Sequence, residues 1–79
     1  MDLRQVFAAN LRRLRHEMGL SQEALAHEAG VNRTYLSKLE KGASYPGLEI
    51  IAKISTVLEV EPAELLRVPP GMPERVPCR

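Results

Sequence analysis

The sequence predicts an all-α fold, a compact bundle of five short helices. Three observations lead to this prediction. Apolar residues recur at steps of three and four along much of the chain, which places them on one face of a helix. Residues that start helices and glycines that end them divide the chain into pieces of helical length. Strand-like runs of alternating β-branched residues do not occur. With 79 residues, 44% of them apolar and 4% aromatic, the chain can form one small domain packed mainly through aliphatic side chains.

The first helix is predicted to run from Asp2 to Met18. Its inward face consists of five apolar residues at helical spacing, namely Leu3, Phe7, Leu11, Leu14 and Met18. Gly19 favours the end of this helix. The arginines of the segment lie mostly off the apolar face, so we expect them to stay at the surface.

The second and third helices are predicted to follow each other closely. Ser21 is a good N-cap for the second helix, and Gly30 ends it with the positive φ that glycine adopts without strain. Asn32 caps the third helix, and Gly42 ends it. Because only a tight turn separates the two helices, they must cross at a steep angle. The third helix is expected to be held to the core by Leu36 and Leu39.

The fourth and fifth helices complete the predicted domain. Residues 43–47 form a loop, and the fourth helix covers roughly 48–59. Its predicted inward stripe consists of Leu48, Ile51, Ile54 and Leu58. Pro62 favours the first turn of a fifth short helix. The last twelve residues contain four prolines and one glycine, which precludes a regular helix. The sequence therefore predicts a folded domain over 1–67 and an extended tail over 68–79.

Composition argues against several classes of protein. Cys78 is the only cysteine, so a disulfide within the chain is impossible, and a metal site would need more ligands. No apolar stretch has the length of a signal peptide or a membrane span. The two histidines, His16 and His27, have no nucleophile, metal cluster or glycine-rich phosphate loop at a spacing that would indicate a catalytic site. We therefore expect a cytoplasmic protein that is not an enzyme and has no cofactor.

Charge is distributed unevenly, although the net charge is only +1. Residues 1–20 carry four arginines against two acidic residues, and residues 32–47 carry three basic residues against one glutamate. Residues 48–67 show the reverse, with four glutamates against two basic residues. We therefore expect one basic and one acidic part of the surface, a segregation that solubility alone does not need.

The stretch QEALAHEAGVNRTYLSKLEK, residues 22–41, resembles the helix-turn-helix of the Cro/C1-type repressors, also called the xenobiotic-response-element family. The buried and turn positions of that motif are occupied by Leu25, Ala26, Gly30, Val31, Leu36 and Leu39. The flanking segments extend the resemblance to residues 3–67. The resemblance implies a lambda-repressor-like domain that binds double-stranded DNA and regulates transcription in the prokaryotic nucleoid. The segment NRTYLSKLEKG is also similar to small restriction–modification controller proteins.

The opening of the third helix carries the residues that are predicted to read DNA bases. A helix that enters the major groove end-on brings its first two turns to the base edges, and those turns must then be polar. Residues 33–41 form the predicted recognition helix, and the base contacts are assigned to Arg33, Thr34, Ser37 and Lys38. Arg33 can donate two hydrogen bonds to guanine O6 and N7, and Thr34 can place its methyl group against thymine. The simpler alternative for Arg33 is a solvated arginine near a helix start, and Ser37 and Lys38 can reach phosphates as well as bases.

A second set of polar residues is predicted to contact the DNA backbone, which sets register and affinity rather than sequence choice. These residues are Gln22, Asn32, Tyr35, Lys41 and Ser44. By resemblance, Gln22 binds a phosphate at the start of the second helix. Asn32 is equally well explained by its capping role, and the Tyr35 ring could instead pack partly buried on the first helix. Arg12 and Arg13 either add long-range attraction or form a solvated face.

The resemblance further implies an ion pair between Arg15 and Glu40, which would orient the recognition helix. It also implies a homodimer. One recognition helix reads only a few base pairs, so a palindromic operator with two half-sites is expected. The predicted dimer interface consists of apolar residues near the end of the domain, namely Leu58, Val60, Leu65 and Leu66. Some of the apolar residues in this region must complete the core of one protomer, and the others could form the interface.

A different class of function remains open at this point. The same scaffold could serve an antitoxin or adaptor whose main task is to hold a protein partner. The tail over 68–79 would then be the candidate ligand, and its deletion would abolish partner binding while leaving DNA binding intact.

Overall fold

The structure is a computed structural model that describes residues 2–68. It contains α1 (Leu3–Glu17), α2 (Gln22–Ala29), α3 (Arg33–Glu40), α4 (Leu48–Leu58) and a 3-10 helix (Pro62–Leu66). No strand occurs between residues 2 and 68, so the all-α prediction is confirmed for them. No helix in this range is long and apolar enough to cross a membrane. The predicted tail, including Cys78, lies outside the described residues apart from Val68.

The last predicted helix differs in type from the first four. Its backbone bond runs from the Glu64 N–H to the Glu61 carbonyl at 2.9 Å, three residues back, which is the 3-10 pattern. Such geometry is common in short pieces that begin at a proline. A count of five α-helices is therefore not reached within residues 2–68. The predicted first helix is one residue longer than the observed one at each end. The predicted third and fourth helices each end one residue later than observed, as is usual where helices fray.

The N-terminal ends of α2 and α3 are capped by the predicted side chains. Ser21 Oγ accepts the N–H of Ala24 at 3.0 Å, and Asn32 Oδ1 accepts the N–H of Thr34 at 2.7 Å. These bonds satisfy donors that have no partner inside the helix. Gly30 ends α2 with φ 70°, so the predicted positive φ is observed. Residues 30–32, between the end of α2 and the start of α3, thus form the tight turn that joins the two helices.

A single apolar core holds the five elements together. It consists of Phe7, Leu11, Leu14, Leu25, Ala26, Ala29, Leu36, Leu39, Ile51, Ile54, Leu58 and Leu65. Three residues predicted to face inward are instead exposed: Leu3, Met18 and, at 85% exposure, Leu48. Leu3 and Leu48 are the first residues of their helices and Met18 follows the last residue of α1. Helical spacing predicts the direction of a side chain, but burial also needs a neighbouring element opposite it.

The recognition helix of the prediction, α3, rests on two other helices. α1 packs against α3 and the 3-10 helix, whereas α2 packs against α3 and α4. α4 in turn packs against the 3-10 helix. With α1 and α2 on its inner sides, α3 keeps one long side at the surface.

Candidate nucleic-acid interface

α3 divides its residues sharply between the core and the surface. Leu36 and Leu39 are completely buried, whereas Arg33, Thr34 and Lys38 are exposed. Three-residue spacing keeps the two leucines on one face of the helix. The opposite face therefore presents polar and cationic groups to solvent.

The polar face of α3 forms a shallow pocket together with the start of α2. The pocket has a volume of about 310 Å³ and is lined by Gln22, Arg33, Thr34, Ser37, Lys38 and Lys41. The structure thus brings the four predicted base contacts together with two of the five predicted backbone contacts. Three of the lining residues are cations and none is a carboxylate, so the pocket suits a polyanion.

Behind this pocket, Glu40 accepts hydrogen bonds from two other helices. Arg15 Nε donates to Glu40 Oε2 at 2.6 Å, and Arg15 Nη2 donates to Oε1 at 3.1 Å. Gln22 Nε2 donates to the same Oε1 at 2.9 Å. The Glu40 side chain is only 3% exposed and that of Arg15 only 11%. The one carboxylate of α3 is therefore neutralised inside the protein and does not oppose an anion at the pocket.

Two of the contacts around Glu40 are not anticipated by the sequence. Gln22 was assigned only to a phosphate, yet its amide joins the pocket to the Glu40 carboxylate. Arg12 donates from Nη1 to the backbone carbonyl of Glu40, which is an orphan acceptor at the end of α3. Arg13 instead pairs with Glu17 at 3.3 Å on the surface of α1. No local pattern identifies the contacts of Gln22 and Arg12 with Glu40, because the partners lie on different helices.

The three remaining predicted backbone contacts lie outside the pocket lining. Asn32 caps α3, and Ser44 belongs to the loop after it. Tyr35 is half-buried with its ring packed against the core, and its hydroxyl donates to the Tyr45 carbonyl at 3.3 Å. The position of Tyr35 resembles the alternative prediction, in which its ring is partly buried instead of contacting the DNA backbone. Its hydroxyl connects α3 to the following loop.

The capping role of Asn32 can be separated from a role in DNA binding. Asn32→Ala should lower the free energy of unfolding by about 1 kcal/mol, because two N–H groups of α3 lose their acceptor. Asn32→Ser should keep near wild-type stability, since serine is an equally good cap. Urea denaturation measures both. Equal stability of the alanine and serine variants would contradict the capping role, and loss of operator affinity in the stable serine variant would measure a DNA contact.

The loop over residues 43–47, which follows α3, contacts the beginning of α1. The Arg4 guanidinium carbon lies 4.9 Å from the centroid of the Tyr45 ring, within the range of a cation–π contact. Arg4 also pairs with Asp2 at 3.2 Å. Hydrogen bonds from Arg4 lower the pKa of Asp2 below its ordinary value, and the Asp2 carboxylate raises the pKa of Arg4. Both ends of this contact are at the surface, beside the loop that carries Ser44.

The predicted dimer interface needs correction at two positions. Leu58 and Leu65 are buried within the protomer, where they fill the core between α4, the 3-10 helix and α1, and so cannot be reached by a second copy. Val60 is half-buried and packs partly against that core. Leu66 is 42% exposed and is the most accessible of the four. The sequence identifies the apolar residues of this region, but it does not show which of them are buried within a single protomer.

Comparison with known proteins identifies a helix-turn-helix, in agreement with the tight turn that joins α2 and α3. A helix-turn-helix family model matches residues 11–65. Control protein C.BamHI from Bacillus amyloliquefaciens is 39% identical over 66 residues, which cover 82% of each chain. The crystal structure of the restriction–modification controller protein C.AhdI from Aeromonas hydrophila has a TM-score of 0.76 and 42% identity, covering 78% of this chain and 94% of that one.

A further solved structure extends the similarity to a protein described as a transcription factor. The hypothetical transcription factor NHTF from Neisseria has a TM-score of 0.83 and 41% identity, covering 86% of this chain and 78% of that one. These relatives are regulators and control proteins, which confirms the prediction of a DNA-binding protein rather than an enzyme. The chain belongs to the helix-turn-helix family of DNA-binding transcriptional regulators.

Proposed function

We propose that two copies of this protein bind a palindromic operator, each placing residues 33–41 in the major groove of one half-site. The observation that carries this proposal is the division of α3, which buries Leu36 and Leu39 and presents a cationic, carboxylate-free pocket on its other side. B-DNA has a major groove about 12 Å wide, which admits one α-helix. Promoter overlap and the concentration of the protein itself would then set its regulatory effect.

Base recognition is assigned to Arg33, Thr34, Ser37 and Lys38. Arg33 is exposed in the first turn of α3, where its planar fork can donate to guanine O6 and N7. Thr34 offers a methyl group to thymine, and the hydroxyl of Ser37 can bond a base edge. Within residues 2–68, none of the four side chains makes a hydrogen bond or salt bridge to the rest of the protein. All four can therefore contact DNA without breaking an internal hydrogen bond or ion pair of their side chains.

Backbone contacts are assigned to Gln22, Asn32, Tyr35, Lys41 and Ser44. Lys41 and Gln22 lie at the edge of the base-reading pocket, where phosphates would flank an inserted helix. The N-terminus of α2 adds backbone N–H groups that favour an anion. Because Glu40 holds Gln22 by a hydrogen bond, the amide of Gln22 is already oriented before DNA arrives. These contacts would position α3 on any duplex and account for salt-sensitive affinity.

The small size of the reading surface supports a homodimer. One eight-residue helix contacts only a few base pairs, so useful specificity calls for a second half-site about 34 Å away. Leu66 and the half-buried Val60 leave apolar surface at the edge formed by the end of α4 and the 3-10 helix. An isologous contact between two such edges would cover this surface in both copies.

Selection of bound sequences from random duplex DNA tests the proposal. We expect enrichment of a palindrome whose half-sites lie about one helical turn, or a small multiple of it, apart. Weak binding without sequence preference would contradict specific recognition. Enrichment of a single unrepeated half-site, together with a monomer in sedimentation, would contradict the homodimer while leaving base recognition by α3 in place.

A further inference from the structure

Asn10 is a buried polar residue that the proposed DNA contacts do not use. It lies on α1 and is completely buried. Its Nδ2 atom donates to the backbone carbonyls of Leu65 at 2.9 Å and Arg67 at 2.7 Å. Both hydrogens of the amide are thereby used. The side chain connects the second turn of α1 to the opposite end of the described chain.

The 3-10 helix depends on such outside contacts for its position. It has only five residues, and no side chain caps its N-terminus. A helical piece of this length forms too few internal hydrogen bonds to be stable alone. Leu65 inserts into the core, and Asn10 holds the carbonyls of Leu65 and Arg67. The backbone is therefore fixed immediately before and immediately after Leu66.

This arrangement determines where Leu66 points. Leu65 is completely buried, whereas its neighbour Leu66 is 42% exposed and is the most accessible apolar residue of the proposed interface. In a two-fold dimer the same surface is used by both copies, so a displacement of this segment would disturb the interface twice.

We propose that Asn10 is a positioning residue for the homodimer. By holding the Leu65 and Arg67 carbonyls, it directs Leu66 towards a second copy of this chain and thereby sets the distance between the two recognition helices. This inference rests on the homodimer of the proposed function. It assigns to α1 a part in dimer formation, although α1 need not touch the partner.

The test compares Asn10→Leu with a control that also alters a buried polar residue. Leucine has the same branched shape and number of non-hydrogen atoms but no donor. The control is Ser55→Ala, because Ser55 is buried but its hydroxyl donates only within α4, to the Ala52 carbonyl at 3.0 Å. For the full chain of each variant, sedimentation equilibrium measures the dimer dissociation constant and urea denaturation measures stability. Binding to a duplex that carries one half-site measures the DNA surface separately.

For Asn10→Leu we expect the dimer dissociation constant to rise about tenfold or more, because the segment that carries Leu66 loses both hydrogen bonds from Asn10 in each copy. The substitution also removes the bond that Asn10 Oδ1 accepts from Arg13 at 3.4 Å, which lies within α1. Half-site binding should stay within about twofold of the wild type, and Ser55→Ala should change the dimer constant by no more than that. If Asn10→Leu does not fold, Asn10→Ser, which retains one donor, should shift the constant in the same direction.

Two results would overturn the inference, and they are distinguishable. In the first, the wild type is a dimer and the Asn10 variants are less stable, but their dimer dissociation constant is no larger than that of Ser55→Ala. Asn10 would then only support the fold. If the wild type is a monomer at high micromolar concentration, the homodimer of the proposed function fails and the inference fails with it.

Discussion

Replacing Arg33 with alanine should reduce the affinity for the selected palindrome by roughly 2–6 kcal/mol, which is about 30-fold to 20,000-fold. The estimate assumes one lost two-bond contact to guanine in each half-site, at about 1–3 kcal/mol each. Arg33→Lys should recover little of the loss, because an ammonium group keeps the charge but lacks the planar fork. Titration of the palindrome and of a duplex with the guanine replaced measures both the loss of affinity and the loss of discrimination.

Two controls separate base recognition from general attraction to DNA. Lys41→Ala should weaken binding to all sequences alike and reduce the salt dependence by about one unit per half-site. Lys53→Ala should have no effect, because Lys53 lies on α4 and pairs with Glu49 at 3.6 Å. If Arg33→Ala weakened specific and nonspecific duplexes equally, Arg33 would be a backbone contact and the assignment of base reading would be wrong.

Arg15→Ala should destabilise the fold by about 3–5 kcal/mol, because it leaves the Glu40 carboxylate buried with only Gln22 as a side-chain donor. A domain of this size has a total stability of about 5–10 kcal/mol, so part of the population would unfold at moderate temperature. Glu40→Gln should be milder, because Arg15 also donates to the Leu20 carbonyl at 2.8 Å and keeps a neutral acceptor. Urea denaturation measures both variants.

The matched control for this ion pair is Lys53→Ala. Its salt bridge to Glu49 is largely solvent-exposed, so its loss should cost no more than about 0.5 kcal/mol. A loss of that small size for Arg15→Ala would contradict the structural role of the pair. Replacing both Arg15 and Glu40 with apolar residues should cost less than Arg15→Ala alone, because no unpaired charge stays buried.

Local patterns in the sequence predict the helices and the two faces of α3. Ser21 and Asn32 cap the predicted helices, and Leu36 and Leu39 face the core, because these features depend on residues close together in the chain. The same spacing predicts Leu48 in the core, yet no residue of the described range 2–68 packs over it enough to bury it at the start of α4. Helical periodicity predicts the direction in which a side chain points, but not whether a neighbouring element covers it.

The features that the sequence does not predict depend on distant residues. Asn10 binds carbonyls 55 and 57 residues away, and Gln22 binds a carboxylate 18 residues away. Leu58 and Leu65 were assigned to a dimer interface, because an apolar pattern does not distinguish burial within one chain from burial between two. The ion pair of Arg15 and Glu40 was expected only from the family resemblance, and its position between helices explains why spacing alone does not reveal it.

The way α3 is held in place has a consequence for how this protein could evolve. Its fixation depends on Leu36, Leu39 and Glu40. The side chains at positions 33, 34 and 38 are exposed and that at 37 is half-buried, and none of the four forms a hydrogen bond or ion pair within residues 2–68. A helix of eight residues would not form alone, so its shape is supplied by the helices beneath it. Under the proposed function, in which these positions read DNA bases, substitutions there would alter the preferred operator while the scaffold keeps its stability. Duplicated copies of such a gene could diverge to separate targets through a few changes on one helical face.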